Sequence, residues 1–345
     1  MNIDRRQFFK VMAAGSAVAV GASPVQAREC KTLPPDAIGI LYDANLCIGC
    51  KACEVACKDA NDMPVSGQGA IDQAYGVNGA WDGDDDLNGR TMNKIKAYVA
   101  EGSRTDLDDP DACFIKRACM HCIDPDCISA CPVSALTKDP FTGIVQYNAD
   151  ACIGCRYCQL ACPFNIPKFQ YDKTFPQIVK CQMCAPRIAD GEIPACCDVC
   201  PTGASLFGRV EDLRAEGHRR LAMQPGERAE FPLNQLGGKT RETEAEKYLP
   251  HLYGETESGG TQYLMVAGVP FEQLGMPPVG DESRARLSET LQHTLYKGMV
   301  APGLLLGGLV YAAYQHTKED REDHPEHDPE SEDKSVCGQP EHHDD

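Results

Sequence analysis

Twenty of the 345 residues are cysteine, and most of them fall in four short runs. These are CIGCKACEVAC (Cys47, Cys50, Cys53, Cys57), CMHCIDPDCISACP (Cys119, Cys122, Cys127, Cys131), CIGCRYCQLACP (Cys152, Cys155, Cys158, Cys162) and CQMCAPRIADGEIPACCDVCP, which offers Cys181, Cys184 and a group ending in Cys200. The first and third are near copies and match C-x2-C-x2-C-x3-C, the spacing by which thiolates hold cubane iron–sulfur clusters. Three thiolates two residues apart on a tight loop can face one cube, while the fourth, on the following helical turn, points away toward a second. Each motif therefore needs a partner motif. Zinc is the competing chemistry, since paired C-x2-C units also build tetrahedral sites, but zinc knuckles rarely continue to a third cysteine and then C-x3-C-P. A disulfide framework fits worse, because cysteines so close in sequence satisfy bridge geometry poorly.

The fourth run can be read with either Cys196 or Cys197 as its third ligand. The other three runs all end C-x3-C, which selects Cys196 with Cys200. Cys197, Cys30, Cys113 and Cys337 are then thiols without a role. Sixteen ligands remain, enough for four [4Fe-4S] clusters with no vacancy that would signal a three-iron cluster. The sequence shows no Gly-rich dinucleotide fingerprint, no Ser/His/Asp set in a recognisable context and no C-x3-C-x2-C radical motif. Fully ligated cubes leave outer-sphere electron transfer as the chemistry, so no catalytic residue is assigned. Lys58, Arg156, Lys168 and Lys180 are candidate cations near the clusters, each with the blander reading of a solvated surface residue.

These motifs, in combination, resemble the four-cluster ferredoxin-type electron-transfer subunits of membrane-bound hydrogenases, formate dehydrogenases and dimethyl sulfoxide reductases, over roughly Ile38 to Phe207. The resemblance implies that motifs pair first with fourth and second with third. One cluster would then be held by Cys47, Cys50, Cys53 and Cys200, and a second by Cys119, Cys122, Cys127 and Cys162. Cys131, Cys152, Cys155 and Cys158 would hold a third, and Cys57, Cys181, Cys184 and Cys196 a fourth. The implied fold is α+β: two intertwined bacterial-ferredoxin-like pairs of cluster-binding motifs, plus one C-terminal transmembrane helix.

Elements must hold these loops in place, and some can be read directly. KIKAYVA (94–100) and GIVQYN (143–148) read as short strands, and RVEDLRAEGHRRLAMQ (209–224) as a surface helix. DDDLNG, Asp84 to Gly89, begins like a calcium loop, but its twelfth position is Ile95 where a bidentate carboxylate is needed, so it reads as a solvated loop in an insertion. The formal net charge of −18 argues against nucleic acid as partner. Much of the acid sits in the last thirty residues, which read as a disordered tail at 316–345. The histidines there could bind metal weakly, although charge and disorder explain them as well.

Two further stretches concern location. Gly298 to Tyr314 carries no charge for seventeen residues, and as a helix it would rise roughly 26 Å, near the low limit for spanning a bilayer. Lys297, Tyr296, Tyr311 and Tyr314 suit the interfaces, Pro302 interrupts the run, and Gly303 and Gly307 offer a small-residue face for a membrane-embedded partner. Flanking positive charge is balanced and gives no orientation. His293 could sit near a quinone site, with a helix-end histidine at the interface as the plainer account. RRQFFK (5–10), the short apolar run after it and SPVQA (23–27) make a twin-arginine signal peptide cleaved before Arg28. The expected organisation is a signal peptide at 1–27, a four-cluster domain at 28–235, an extracytoplasmic extension at 236–292, a transmembrane helix at 293–315 and the acidic tail.

A signal of its own, together with YLPHLYGE, GGTQYLMVAGVPFEQL and QHTLYKGM within 248–299, makes the chain most similar to the HybA-type subunits of hydrogenase 2. That resemblance implies electron flow between a periplasmic [NiFe] hydrogenase, with its small and large subunits, and an integral membrane quinone-reactive subunit. The alternatives are an electron-transfer subunit of a molybdenum oxidoreductase and a zinc-binding structural protein.

Overall fold

The computed structural model describes residues 27–63, 86–98, 113–171, 173–298, 303, 306–311 and 313–314. The expected leader up to residue 26, the acidic residues 82–85 and the tail at 316–345 lie outside them. Ala27 to Glu289 form one compact unit, and the described residues from Thr290 onward belong to another.

The first unit begins with strand β1 (Ile38–Asp43), which leads through the first cysteine loop into helix α1 (Ala52–Asp59). Hairpin β2 (Lys94–Tyr98) and β3 (Cys113–Arg117) follows, then α2 (Asp126–Ser129), hairpin β4 (Leu136–Lys138) and β5 (Val145–Tyr147), and α3 (Tyr157–Ala161). A short pair, β6 (Lys168–Phe169) and β7 (Ile178–Val179), precedes α4 (Ala185–Ala189) and α5 (Ala195–Asp198). Then come β8 (Ser205–Arg209), α6 (Val210–Leu221), hairpin β9 (Arg228–Pro232) and β10 (Thr240–Glu244), β11 (Tyr263–Val266) and α7 (Ala285–Gly298). The strands expected from KIKAYVA and GIVQYN and the helix expected after the fourth motif are β2, β5 and α6.

The centre is a three-stranded sheet in the order β11-β1-β8. Strand β1 runs antiparallel to β8, with Ile40 opposite Phe207, and parallel to β11, with Ile40 opposite Tyr263. Alternation along the strands divides the sheet's two faces. Leu41, Leu206, Leu264 and Val266 pack with Leu213 of α6. Ile40, Tyr42, Tyr263 and Met265 turn the other way, into a core that also contains Cys53, Cys119, Cys196 and Cys197. The sheet is thus the wall between an ordinary apolar layer and the thiols. The stretch expected as an extension, 236–292, supplies β11 to this wall.

At the edge of the helix-side layer lies a buried polar network. Arg220 of α6 donates to Asp43 Oδ2 at 2.8 Å and to Glu216 Oε1 at 2.8 Å, and Tyr248 donates to the same Asp43 oxygen at 2.7 Å. The guanidinium also lies 4.9 Å from the Phe231 ring centroid. The Arg220 and Asp43 side chains are fully buried, so each neutralises a charge that solvent cannot reach. A second network joins residues far apart in sequence: Arg28 forms a fork on the buried Asp124, at 2.6 and 2.7 Å, and also reaches Glu289 at 2.6 Å.

Beyond Thr290, residues 303, 306–311, 313 and 314 are helical and exposed. Among the described residues no helix is long and apolar enough to cross a membrane. The single span expected over 293–315 is therefore not seen, and a good part of its uncharged run lies outside the described residues. The helix that enters it, α7, carries Arg286, Glu289, His293 and Lys297, which makes it amphipathic rather than uniformly apolar.

Two outcomes test these contacts. Replacing Arg220 by Met should cost about 3–5 kcal/mol, because Asp43 is left buried without its cation, and this reads as a lower midpoint of unfolding. Burial alone would push the Asp124 carboxyl up, but the hydrogen bonds and charge of Arg28 hold it below its ordinary value. A carboxylate with a depressed folded pKa contributes stability above its unfolded value, about 3.9, and loses it as pH falls through the folded one. Thermal unfolding of the Arg28→Met protein should therefore show a deficit at neutral pH that shrinks below about pH 4.

Candidate metal centre

The near-identical first and third motifs fold alike. Gly49 and Gly154 have φ of +67° and +69°, and the residues just before α1 and α3, Lys51 and Arg156, have φ of 55° and 63°. Two left-handed residues fold each loop tightly, so that its cysteines turn inward before the helix starts. At Gly49 a Cβ would also lie 2.4 Å from the Phe114 ring, so only glycine fits. Cys53 and Cys57, four apart on α1, share one helix face. In the fourth motif Met183 and Cys184 take the same left-handed conformation before α4. Backbone N–H groups donate to Cys152, Cys181 and Cys131 Sγ at 3.4, 3.3 and 3.2 Å.

The cysteine helices pack in pairs: α1 of the first motif against α5 of the fourth, and α2 of the second against α3 of the third. The thiols follow that pairing. Burial pushes Cys57 up, and the neighbouring thiols that push it further are Cys181, Cys196 and Cys184. Burial also raises Cys47 to about 11, with Cys200 and Cys50 beside it. Cys122 is raised by burial and then by Cys162, Cys127 and Cys119. Cys158 rises to about 11 through burial and then Cys131, Cys152 and Cys155. Two of these groups line cavities of their own. Cys57, Cys181, Cys184 and Cys196 border one, and Cys131, Cys152, Cys155 and Cys158 border the other.

All the described cysteines are free thiols. Among the described residues no three Cys, His, Asp or Glu side chains converge as they would on a single metal ion. A cube makes a different demand, because each of its thiolates reaches a separate iron. A largely buried donor set of soft sulfurs, gathered in groups of four rather than three around one point, fits that demand.

Of the four thiols set aside, Cys197 is completely buried beside Cys196, Cys113 opens β3, Cys30 is half-buried, and Cys337 lies outside the described residues. It is Cys196 that neighbours Cys57, Cys181 and Cys184. A hydrogen bond from Cys197, and then the charge of Lys116, hold the Cys196 thiol below its ordinary pKa. Ile95, at the twelfth position of the calcium-like loop, is a buried residue of β2 that offers no ligand. His293 is exposed.

The four candidate cations have different settings. Lys180 is buried and donates to the carbonyls of Val145 and Cys181. Lys58 and Lys168 are half-buried, and Arg156 is exposed, lying over the Phe169 and Tyr171 rings. Sequence reasoning missed two other cations. Lys138 donates to Cys122 O, Gly143 O and Gln262 Oε1 at 2.9, 2.7 and 2.9 Å, and burial lowers it to about 8. Lys116 is completely buried and donates to Ser205 Oγ at 3.0 Å. Also missed was Asn234, whose amide donates to the carbonyls of Cys197, Asp198 and Cys200 and so fixes the end of the fourth motif. None carries a local signal, since each depends on at least one contact with a segment distant in sequence.

Residues 110–210 match the family model of the 4Fe-4S dicluster domain. The chain is 43% identical over 330 residues to the hydrogenase-2 operon protein HybA of Escherichia coli O157:H7 and of Shigella flexneri, covering 93% of this chain and 98% of theirs. It is 32% identical over 315 residues to the formate dehydrogenase iron-sulfur subunit of Haemophilus influenzae, covering 88% of each chain. The formate dehydrogenase-O iron-sulfur subunit of Escherichia coli is 36% identical over 183 residues, 53% of this chain and 56% of that one. With its ferredoxin-like 4Fe-4S domain, the chain belongs to the HybA family of iron–sulfur subunits, which transfer electrons within enzyme complexes and are not themselves catalytic.

Proposed function

We propose that the chain carries four [4Fe-4S] clusters and passes electrons between a [NiFe] hydrogenase and a membrane-embedded quinone-reactive subunit. Cys47, Cys50, Cys53 and Cys200 hold the first cluster, and Cys57, Cys181, Cys184 and Cys196 its neighbour. Cys119, Cys122, Cys127 and Cys162 hold the next, and Cys131, Cys152, Cys155 and Cys158 the last. Once bound, the clusters supply one-electron chemistry, and the chain supplies their spacing, burial and local charge.

The observation that carries this reading is the order in which the thiol groups lie within electrostatic reach of one another. Cys53 neighbours Cys196, Cys181 neighbours Cys119, and Cys127 neighbours Cys158. Each of these proximities links one quartet to the next, which supports a single file rather than two isolated pairs. A file with a distinct quartet at each end suits a subunit that receives electrons at one place and delivers them at another.

The hydrogenase partner rests on similarity along nearly the whole chain to a protein of a hydrogenase-2 operon. The location, outside the cytoplasmic membrane and against it, rests on Arg5, Arg6 and the uncharged run 298–314. The formate dehydrogenase relatives favour a second reading, a molybdenum enzyme partner.

Purified protein should contain iron and sulfide in equal amounts and show about four reducible cubane signals by paramagnetic resonance; stoichiometric zinc without iron would sink the cluster reading. Cys196→Ala should remove roughly a quarter of the iron, whereas Cys197→Ala should leave the iron count unchanged. Deleting the chain should abolish hydrogen-dependent quinone reduction in membranes. Unchanged rates there, with loss of formate or sulfoxide activity, would transfer the assignment to the molybdenum partner.

A further inference from the structure

Lys116 occupies an unusual place for a strand lysine. Both neighbours in β3, Ile115 and Arg117, are buried as well, and Lys116 itself has no exposed surface. Its ammonium donates to Ser205 Oγ, lies within reach of Cys196, and lines the cavity bordered by Cys57, Cys181, Cys184 and Cys196. Tyr263 lines the same cavity, and its buried hydroxyl has no hydrogen-bond partner among the described residues. The cation also acts on Cys53, in the adjoining quartet. It therefore lies at the junction of two of the four thiol groups. A third quartet is served by other cations: Lys180 acts on Cys127, and Lys138 lies beside Cys122, Cys119 and Cys127.

We infer that Lys116, assisted by the Tyr263 hydroxyl, is a shared potential-setting residue for the two clusters that meet at this cavity. The inference rests on the four-cluster reading above. An electron entering a cube from an external donor adds one negative charge to a group that already carries four thiolates. No bond forms or breaks and no proton need move. In a medium that water does not reach, a fixed ammonium nearby favours the reduced form over the oxidised one, which raises the reduction potential. Being common to two clusters, the same charge moves both potentials in one direction. The orphan hydroxyl has a donor to offer across the cavity to the Cys57, Cys181, Cys184, Cys196 cluster, whose cavity it lines. Burying an ammonium is costly, and a single serine hydroxyl does little to offset it, so the thiolates of the loaded protein are its natural counter-charge.

The test is a redox titration of the purified, cluster-loaded protein with a low-potential chemical reductant, followed by paramagnetic resonance, comparing unaltered protein, Lys116→Met and Tyr263→Phe. Methionine keeps the length and apolar stem of lysine and removes its charge. Lys116→Met should disfavour reduction of two clusters at least tenfold, a fall of about 59 mV for a one-electron couple, and leave the other two unmoved. Tyr263→Phe should lower one potential by a smaller step at full iron content. Four unchanged midpoints in Lys116→Met, or an equal shift of all four, would overturn the inference. Should Lys116→Met not retain its clusters, Tyr263→Phe decides, and unchanged midpoints there overturn it. Fewer than four cubane signals in the unaltered protein would instead strike at the four-cluster reading, so the two failures are distinguishable.

Discussion

A thiol removed from water holds on to its proton, yet only the thiolate binds iron. This conflict governs the arrangement of the whole molecule. Burial drives Cys53, Cys57, Cys122 and Cys181 upward, and their own crowding drives them further. An apolar interior would leave such groups protonated and inert. The chain answers with backbone N–H groups aimed at sulfur, with left-handed loops that bring several thiols to one place, and with lysines carried inside the protein. With clusters bound, these thiols would give up their protons to iron, and the binding energy would become part of the folding energy.

The central sheet makes this arrangement possible by keeping two kinds of interior apart. On one side, Leu41, Leu206, Leu213 and Leu264 form a layer like that of any small α+β protein. On the other, Tyr42 and Tyr263 present large rings to the thiols. Tyr42 donates its hydroxyl hydrogen to Phe114 O at 2.9 Å, so even the aromatic wall is tied to the hairpin that carries Lys116. Asp43 ends the same strand, anchoring Arg220 on one carboxylate oxygen while the other accepts the N–H groups of Asn45 and Leu46 that begin the first cysteine loop. The stability of the ordinary layer and the geometry of the first motif thus depend on one side chain.

The thiol motifs were legible in the sequence because their geometry is local: the spacing of Cys47, Cys50 and Cys53 forces a tight loop whatever surrounds it. Strands β2 and β5 and helix α6 were legible for the same reason, through period and composition. Lys116 was not. In CFIKRA it reads as a lysine on an exposed strand, and only the burial of both faces of β3 reverses that reading. The role of 263–266 was hidden differently: YLMV is plainly apolar, but nothing near it names β1, more than two hundred residues earlier, as its parallel partner. The span expected over 293–315 came from an uncharged run, whereas the helix leading into it is built of mixed residues.

The parallel pairing of β1 with β11 also sets an order of events during synthesis. The strand beside the first cysteine loop waits until Tyr263–Val266 has been made before its second edge can be covered. Parallel pairing across so long a separation forms slowly, after local hairpins and helices. By then all four cysteine motifs have emerged from the ribosome. The edge of β1, beside the first cysteine loop, is therefore among the last parts of the sheet to be covered.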